Sequence, residues 1–230
     1  MFALHLWTLA IILGVYFPLS VYSDTPPLAA AAAAFKHPGV FVSKPQLDFV
    51  KSKVNAQAEP WTTAYNELLK HKFASLNRNP TPQAAVKCDE SSSNDVGNGC
   101  HNEREDALAA WATALIWYIS GDSRYAKKSI SYLDGWSSTL KSHDGKNRNL
   151  QMGWAGTSWA RAAELIRYSN AGWSNDGISK FKTMLQTQFL PTAVKSDART
   201  SNWDLGESNS SRCTWYIHND IWYSSPGDSC

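Results

Sequence analysis

The sequence has little net charge: 22 Lys and Arg stand against 20 Asp and Glu, a formal balance of +2. Nucleic-acid binders carry a basic stripe and a larger surplus, so no nucleic-acid partner is expected. The 4 cysteines form no C-x-x-C pair and the histidines no H-x-x-x-H pair. A tetrahedral zinc set is therefore incomplete even with His101 beside Cys100, and neither a metal nor a cofactor is expected. No segment alternates apolar and polar residues for long enough to read as a strand. Chain-wide disorder is excluded, because 43% of the residues are hydrophobic and disorder needs low hydrophobicity with high net charge. A length of 230 residues suits one compact domain or two small ones.

Long apolar runs are also scarce. The longest, centred on Leu6 to Phe17, falls short of the roughly 20 residues a membrane span requires. Pro18 breaks it, and Val21-Tyr22-Ser23 supplies slim residues at a cleavage position. Residues 1–23 read as a secretory signal peptide, although the region before the run holds His5 and neither Lys nor Arg. An uncleaved anchor is the competing reading. The mature chain is expected to be secreted, monomeric and not inserted in a membrane. Residues 24–34, with Pro26-Pro27 and the alanines Ala29 to Ala34, read as a linker. An oxidising compartment suits a Cys88–Cys100 disulfide, because the Ser-, Asn- and Gly-rich segment between them has no apolar anchor.

What the sequence does hold is tryptophan, 11 in all. Indoles either fill a helical core or stack on sugar rings. The remaining pattern is helical. Ser43 caps a stripe of Leu47, Val50 and Val54, and Pro60 opens one of Trp61, Tyr65, Leu68 and Leu69. Asn102 reads as the cap of a stripe running Ala107, Leu108, Trp111, Leu115 and Tyr118 to a stop at Gly121. Asp122 caps the next, with Tyr125, Ala126, Ile130, Leu133 and Leu140. After a loop at Gly145 to Asn149 come Trp159, Ala163 and Ile166, then Ile178, Phe181, Leu185 and Phe189, stopped by Pro191. The expected class is all-α, built of antiparallel helix hairpins. A helical repeat scaffold for a protein partner is the plain alternative.

Several stretches, in order, resemble the alginate-lyase-like polysaccharide lyases. They are Phe35-Lys36-His37-Pro38-Gly39-Val40, Pro60-Trp61-Thr62-Thr63-Ala64-Tyr65, Gly99-Cys100-His101-Asn102-Glu103-Arg104-Glu105-Asp106-Ala107 and Trp117-Tyr118-Ile119-Ser120-Gly121-Asp122. Leu133-Asp134-Gly135-Trp136, Leu150-Gln151-Met152-Gly153-Trp154-Ala155-Gly156, Arg161-Ala162-Ala163-Glu164 and Ser201-Asn202-Trp203 continue the set. The likeness spans residues 35–205. It implies part of an (α/α) toroid that cleaves uronate polymers, alginate or glucuronan, by β-elimination without a metal. Such chemistry needs a group that neutralises the uronate carboxylate, a base for the C5 proton and an acid for the leaving oxygen.

By that resemblance Asn202 would face the carboxylate. Gln151, Trp154 and Trp203 would line the substrate cleft, and His101 is a candidate base. The resemblance stops after Leu205: the tail, residues 206–230, has no apolar helix to continue it, so little turnover is expected from this chain. His218, Tyr216 and Tyr223 are not promoted to catalysts, and a Cys213–Cys230 bridge has no support. Two other functions compete. One is a non-catalytic carbohydrate-binding or adhesion module. The other is a glycoside hydrolase, which needs two carboxylates about 5–10 Å apart; Glu103, Glu105, Asp106 and Glu164 are the available acids.

Overall fold

In a computed structural model of the chain, the described residues are 36–89, 99–193, 216–218 and 221–223. They belong to a unit running Ala34–Cys230. The signal-like segment, the linker, Asn202, Trp203, Cys213 and Cys230 lie outside the described residues.

Helices dominate. They are α1 (Lys44–Asn55), α2 (Trp61–Lys70), α3 (Cys100–Ser120), α4 (Ser123–Thr139), α5 (Arg148–Arg167), α6 (Asn175–Met184) and the short α7 (Leu190–Ala193). Where capping chemistry is plain in the sequence, the boundaries follow it. The Ser43 backbone N–H and hydroxyl both donate to Gln46 Oε1 at 2.9 Å, closing the start of α1. Gly121 ends α3 at φ 73°, a conformation that costs glycine little. Asp122 Oδ1 accepts the Arg124 N–H at 3.0 Å and starts α4.

Three boundaries depart from the sequence reading. α3 begins at Cys100 with left-handed Gly99 as its cap, so Asn102 lies inside the helix and donates to Thr81 Oγ1 at 2.9 Å. Pairing of Lys87 with Gly99 and the Cys88–Cys100 bond bring the chain into the helix three residues early. Arg148 and Asn149, expected in a loop, already belong to α5. Pro191 does not stop the last helix. A π turn at Leu185–Phe189 precedes it, and wider bonding there relieves the clash between a proline ring and the carbonyl four residues back.

Short strands also occur. β1 (Ala85–Lys87) and β2 (Ser142–Asp144) pair in parallel, with Val86 opposite His143. β3 (Tyr216–His218) and β4 (Ile221–Tyr223) pair antiparallel, with Ile217 opposite Trp222. Three residues are too few to show a period of two, which is why the sequence pattern missed them.

The core forms where α3 meets α4 and α5. Ala107, Ala110 and Ala114 of α3 and Ala155, Ala160, Ala162 and Ala163 of α5 are buried, and small side chains let the backbones approach closely. Around them Ile116, Tyr132, Leu133, Trp136, Trp159, Phe181 and Phe189 are all but fully buried. A Leu- or Phe-sized side chain removed from water stabilises by about 1.5–3 kcal/mol. Asp106 of α3 is the polar anchor. Its oxygens accept from Arg78 Nη2 at 2.6 Å, the Thr81 N–H at 2.6 Å and Trp136 Nε1 at 2.8 Å.

Two tests follow from this packing. Replacing Cys88 and Cys100 by serine, which frees a link spanning 12 residues, should lower the unfolding free energy by about 2–3 kcal/mol in urea titration. Asp106→Ala should cost about 2–4 kcal/mol, since it strands the buried Trp136 N–H and takes the nearer carboxylate from the partly buried Arg78 guanidinium. A loss below about 1 kcal/mol by the same titration would refute the anchor role.

Candidate functional site

Gln151 and Trp154 sit one turn apart near the start of α5, and the opening turns of α3 lie against them. Gln151 is 2% exposed. Its Nε2 donates to the Cys100 carbonyl and to Glu103 Oε2, both at 3.0 Å. Both neighbours are acceptors, so only the amide nitrogen can face them. Its Oε1 is buried without a hydrogen-bond partner among the described residues. Gln151 therefore holds the first turn of α3 from inside and does not face solvent.

Glu103 continues this buried group. His143 Nε2 meets its two oxygens at 3.0 and 3.1 Å, and the imidazole packs edge-on against Phe189 at 5.1 Å between centroids. Thus β2, α3, α5 and the π turn share one polar junction. It escaped sequence reasoning because 40 residues separate the two partners and no motif spacing links them.

Trp154 behaves differently. It is 47% exposed, and the Arg104 guanidinium lies 5.6 Å from its ring centre. Arg104 has no carboxylate partner among the described residues, so its charge is available above an indole face. Arg104 follows His101 by three positions and so shares its side of α3; that spacing is the signal that could have singled it out. His101 is more than half exposed, with Nε2 3.2 Å from Glu105 Oε1. Glu105 also meets Lys72 at 2.5 Å and Arg78 at 3.5 Å. Partial burial would raise its carboxyl, but Lys72, His101 and Arg78 together pull it below the usual range. Asn202 and Trp203 lie outside the described residues.

Most described tryptophans answer the core-or-sugar question in favour of the core. Trp136 and Trp159 are fully buried, while Trp111, Trp117 and Trp173 pack against the core partly buried. Trp154 is the strongly exposed indole among the described residues.

The four acids considered for hydrolysis are each committed elsewhere. Glu103 holds His143, Asp106 holds Arg78, and Glu105 sits among basic groups. Glu164 Oε1 meets His37 Nδ1 at 2.6 Å and accepts the Gly39 N–H at 3.0 Å. This fastens residues 37–39 onto α5, with the His37 ring stacked on Tyr168 at 3.9 Å. Beside that fastening lies a cavity of about 210 Å³ walled by Val40, Leu47, Trp111, Leu115 and Leu165 among others. Its apolar walls suit hydrocarbon rather than a sugar.

Comparison with protein-family models, with curated proteins and with solved structures finds no match to this chain.

Burial raises the Glu164 carboxyl above its ordinary range, against the pull of His37 and the Gly39 N–H. A carboxyl raised by folding favours the folded state most when protonated, and that contribution is lost as pH rises through its folded value. Glu164→Gln keeps an acceptor for Gly39 and removes the titration. Between about pH 4 and about pH 7, the unsubstituted protein should lose melting temperature relative to this variant. Parallel melting curves across that range would exclude the effect.

Proposed function

We propose that this chain is a secreted, alginate-lyase-like polysaccharide lyase domain, its helix hairpins forming part of an (α/α) toroid, that holds a uronate polymer across the exposed face of α3 and α5. The observation that carries the reading is the pairing of half-exposed Trp154 with the Arg104 guanidinium 5.6 Å from its ring. A pyranose ring presents C–H bonds that stack on an indole, and its carboxylate pairs with a fixed cation. The resemblance described above supplies the reaction class.

In the elimination, a base removes the C5 proton, the C4–O4 bond breaks, and its electron pair leaves on O4 as C4 and C5 become doubly bonded. The O4 oxygen then takes a proton from an acid. Charge that builds on the carboxylate is spread by Arg104 and by the neutral amide of Asn202. His101 is the candidate base of this proposal, since its exposed imidazole has Nε2 directed at Glu105. The Glu103–Gln151 junction positions the turn that carries His101 and Arg104.

A second reading, a non-catalytic carbohydrate-binding module, is favoured by one observation. The Gln151 amide, which an eliminating site could use on the substrate, is spent inside the protein.

Titration with alginate oligosaccharides, followed by tryptophan fluorescence, tests binding. Trp154→Ala should weaken it about tenfold, equivalent to about 1.4 kcal/mol, and Arg104→Gln should weaken it while flattening its salt dependence. Ultraviolet absorbance of an unsaturated product separates the two readings. If turnover is seen, Asn202→Ala should raise the barrier by roughly 3 kcal/mol. Failure of the unsubstituted chain to bind any polyuronate would reject both.

A further inference from the structure

The α1–α2 hairpin carries a second pairing of aromatic rings with a cation, away from the face of Trp154. Phe49 of α1 is 49% exposed, and its ring meets that of Trp61, at the start of α2, edge to face at 5.5 Å and 83°. Lys53 lies one turn beyond Phe49 on the same side of α1. Its ammonium stands 5.1 Å from the Phe49 ring centre and 5.4 Å from that of Trp61. Lys53 has no carboxylate partner among the described residues, so its charge rests over two rings and remains open to an anion. Lys51, on the same helix, lies over the Tyr118 ring at 5.7 Å. The acid on this helix, Asp48, is held by Lys44 at 2.6 Å and by the Tyr118 hydroxyl at 2.7 Å. No residue of α2 is buried, so the hairpin forms an accessible edge.

We infer that Phe49, Trp61 and Lys53 form a secondary binding site for an acidic polysaccharide, separate from the Trp154 face, that retains long chains on the protein surface. The inference rests on the polyuronate reading of the chain. Its chemistry follows from the cluster itself: the exposed Phe49 ring, braced edge to face by Trp61, offers a surface for a sugar residue, and the Lys53 ammonium beside it selects an anionic one. One such site is weak, but a polymer that spans both sites gains by effective concentration, whereas a short oligosaccharide reaches one site at a time.

The test compares long-chain alginate with an alginate tetrasaccharide, using the full chain, the variant Phe49→Ala/Trp61→Ala, the milder Lys53→Gln and Trp154→Ala. The expected result is that the double variant loses about tenfold in affinity for the polymer and keeps its tetrasaccharide affinity. Lys53→Gln should lose less and bind with a shallower salt dependence. Circular dichroism confirms that each variant is folded. Polymer affinity unchanged in both hairpin variants, with Trp154→Ala impaired, overturns the second site and leaves the polyuronate reading standing. No binding of either ligand by the unsubstituted chain overturns both. Sedimentation that shows a dimer dissolved by Phe49→Ala/Trp61→Ala would assign the cluster to a second copy of the chain, which also overturns the inference.

Discussion

Burial of two carboxylates on α3 is the constraint on which the arrangement depends. Glu103 and Asp106 are both fully buried, one turn apart, and a buried charge without partners is strongly unfavourable. Each therefore draws in donors from distant parts of the chain. Asp106 collects Arg78, Thr81 and Trp136, so the irregular run before β1 and the far side of α4 are fixed together. Glu103 collects His143 and Gln151, which fixes β2 and the start of α5. Apolar packing fills the space these contacts define.

That division explains how far the sequence could be read. Capping side chains and glycine stops act locally, so Ser43, Gly121 and Asp122 reported their helix boundaries correctly. The apolar stripes of α4 and α6 were legible for the same reason, since a period of 3.6 leaves a trace within one segment. Contacts between segments leave none. Glu103 read as a first-turn acid favoured by the helix dipole, and nothing nearby announced His143. Asn102 was mistaken for a cap because its local chemistry is right; a bond to Thr81 twenty-one residues away uses that side chain instead. Of the candidate site, the nearness of Gln151 and Trp154 in sequence was legible, but they read as part of the loop that opens the helix, whereas both lie within α5. Their opposite orientations, inward and outward, were not legible, because the α5 sequence is apolar or small on most sides and its periodicity is weak.

Arg104 and Trp154 gain their interest from what lies beneath them. Both stand on helices whose contact is lined by alanine, with few side-chain rotations left to adjust. The Arg104 turn is held from below by Gln151 and Glu103 and by a covalent link at Cys100. A surface pair mounted in this way loses little conformational freedom when it meets a ligand, and that loss is a large part of what weak sugar binding has to overcome.

The Cys88–Cys100 link also sets how the chain can vary. Gly145 crosses Cys88 so closely that a Cβ there would collide with the Cys88 carbonyl, and Cys88 is further held by its N–H to the Asp144 carbonyl at 2.9 Å. Both ends of the intervening segment are thus fixed by bonds that owe nothing to the residues inside it. Closure entropy grows slowly with length, by about 0.6 kcal/mol for each doubling. The length and composition of this stretch can therefore change without disturbing the start of α3, which the link holds from outside it.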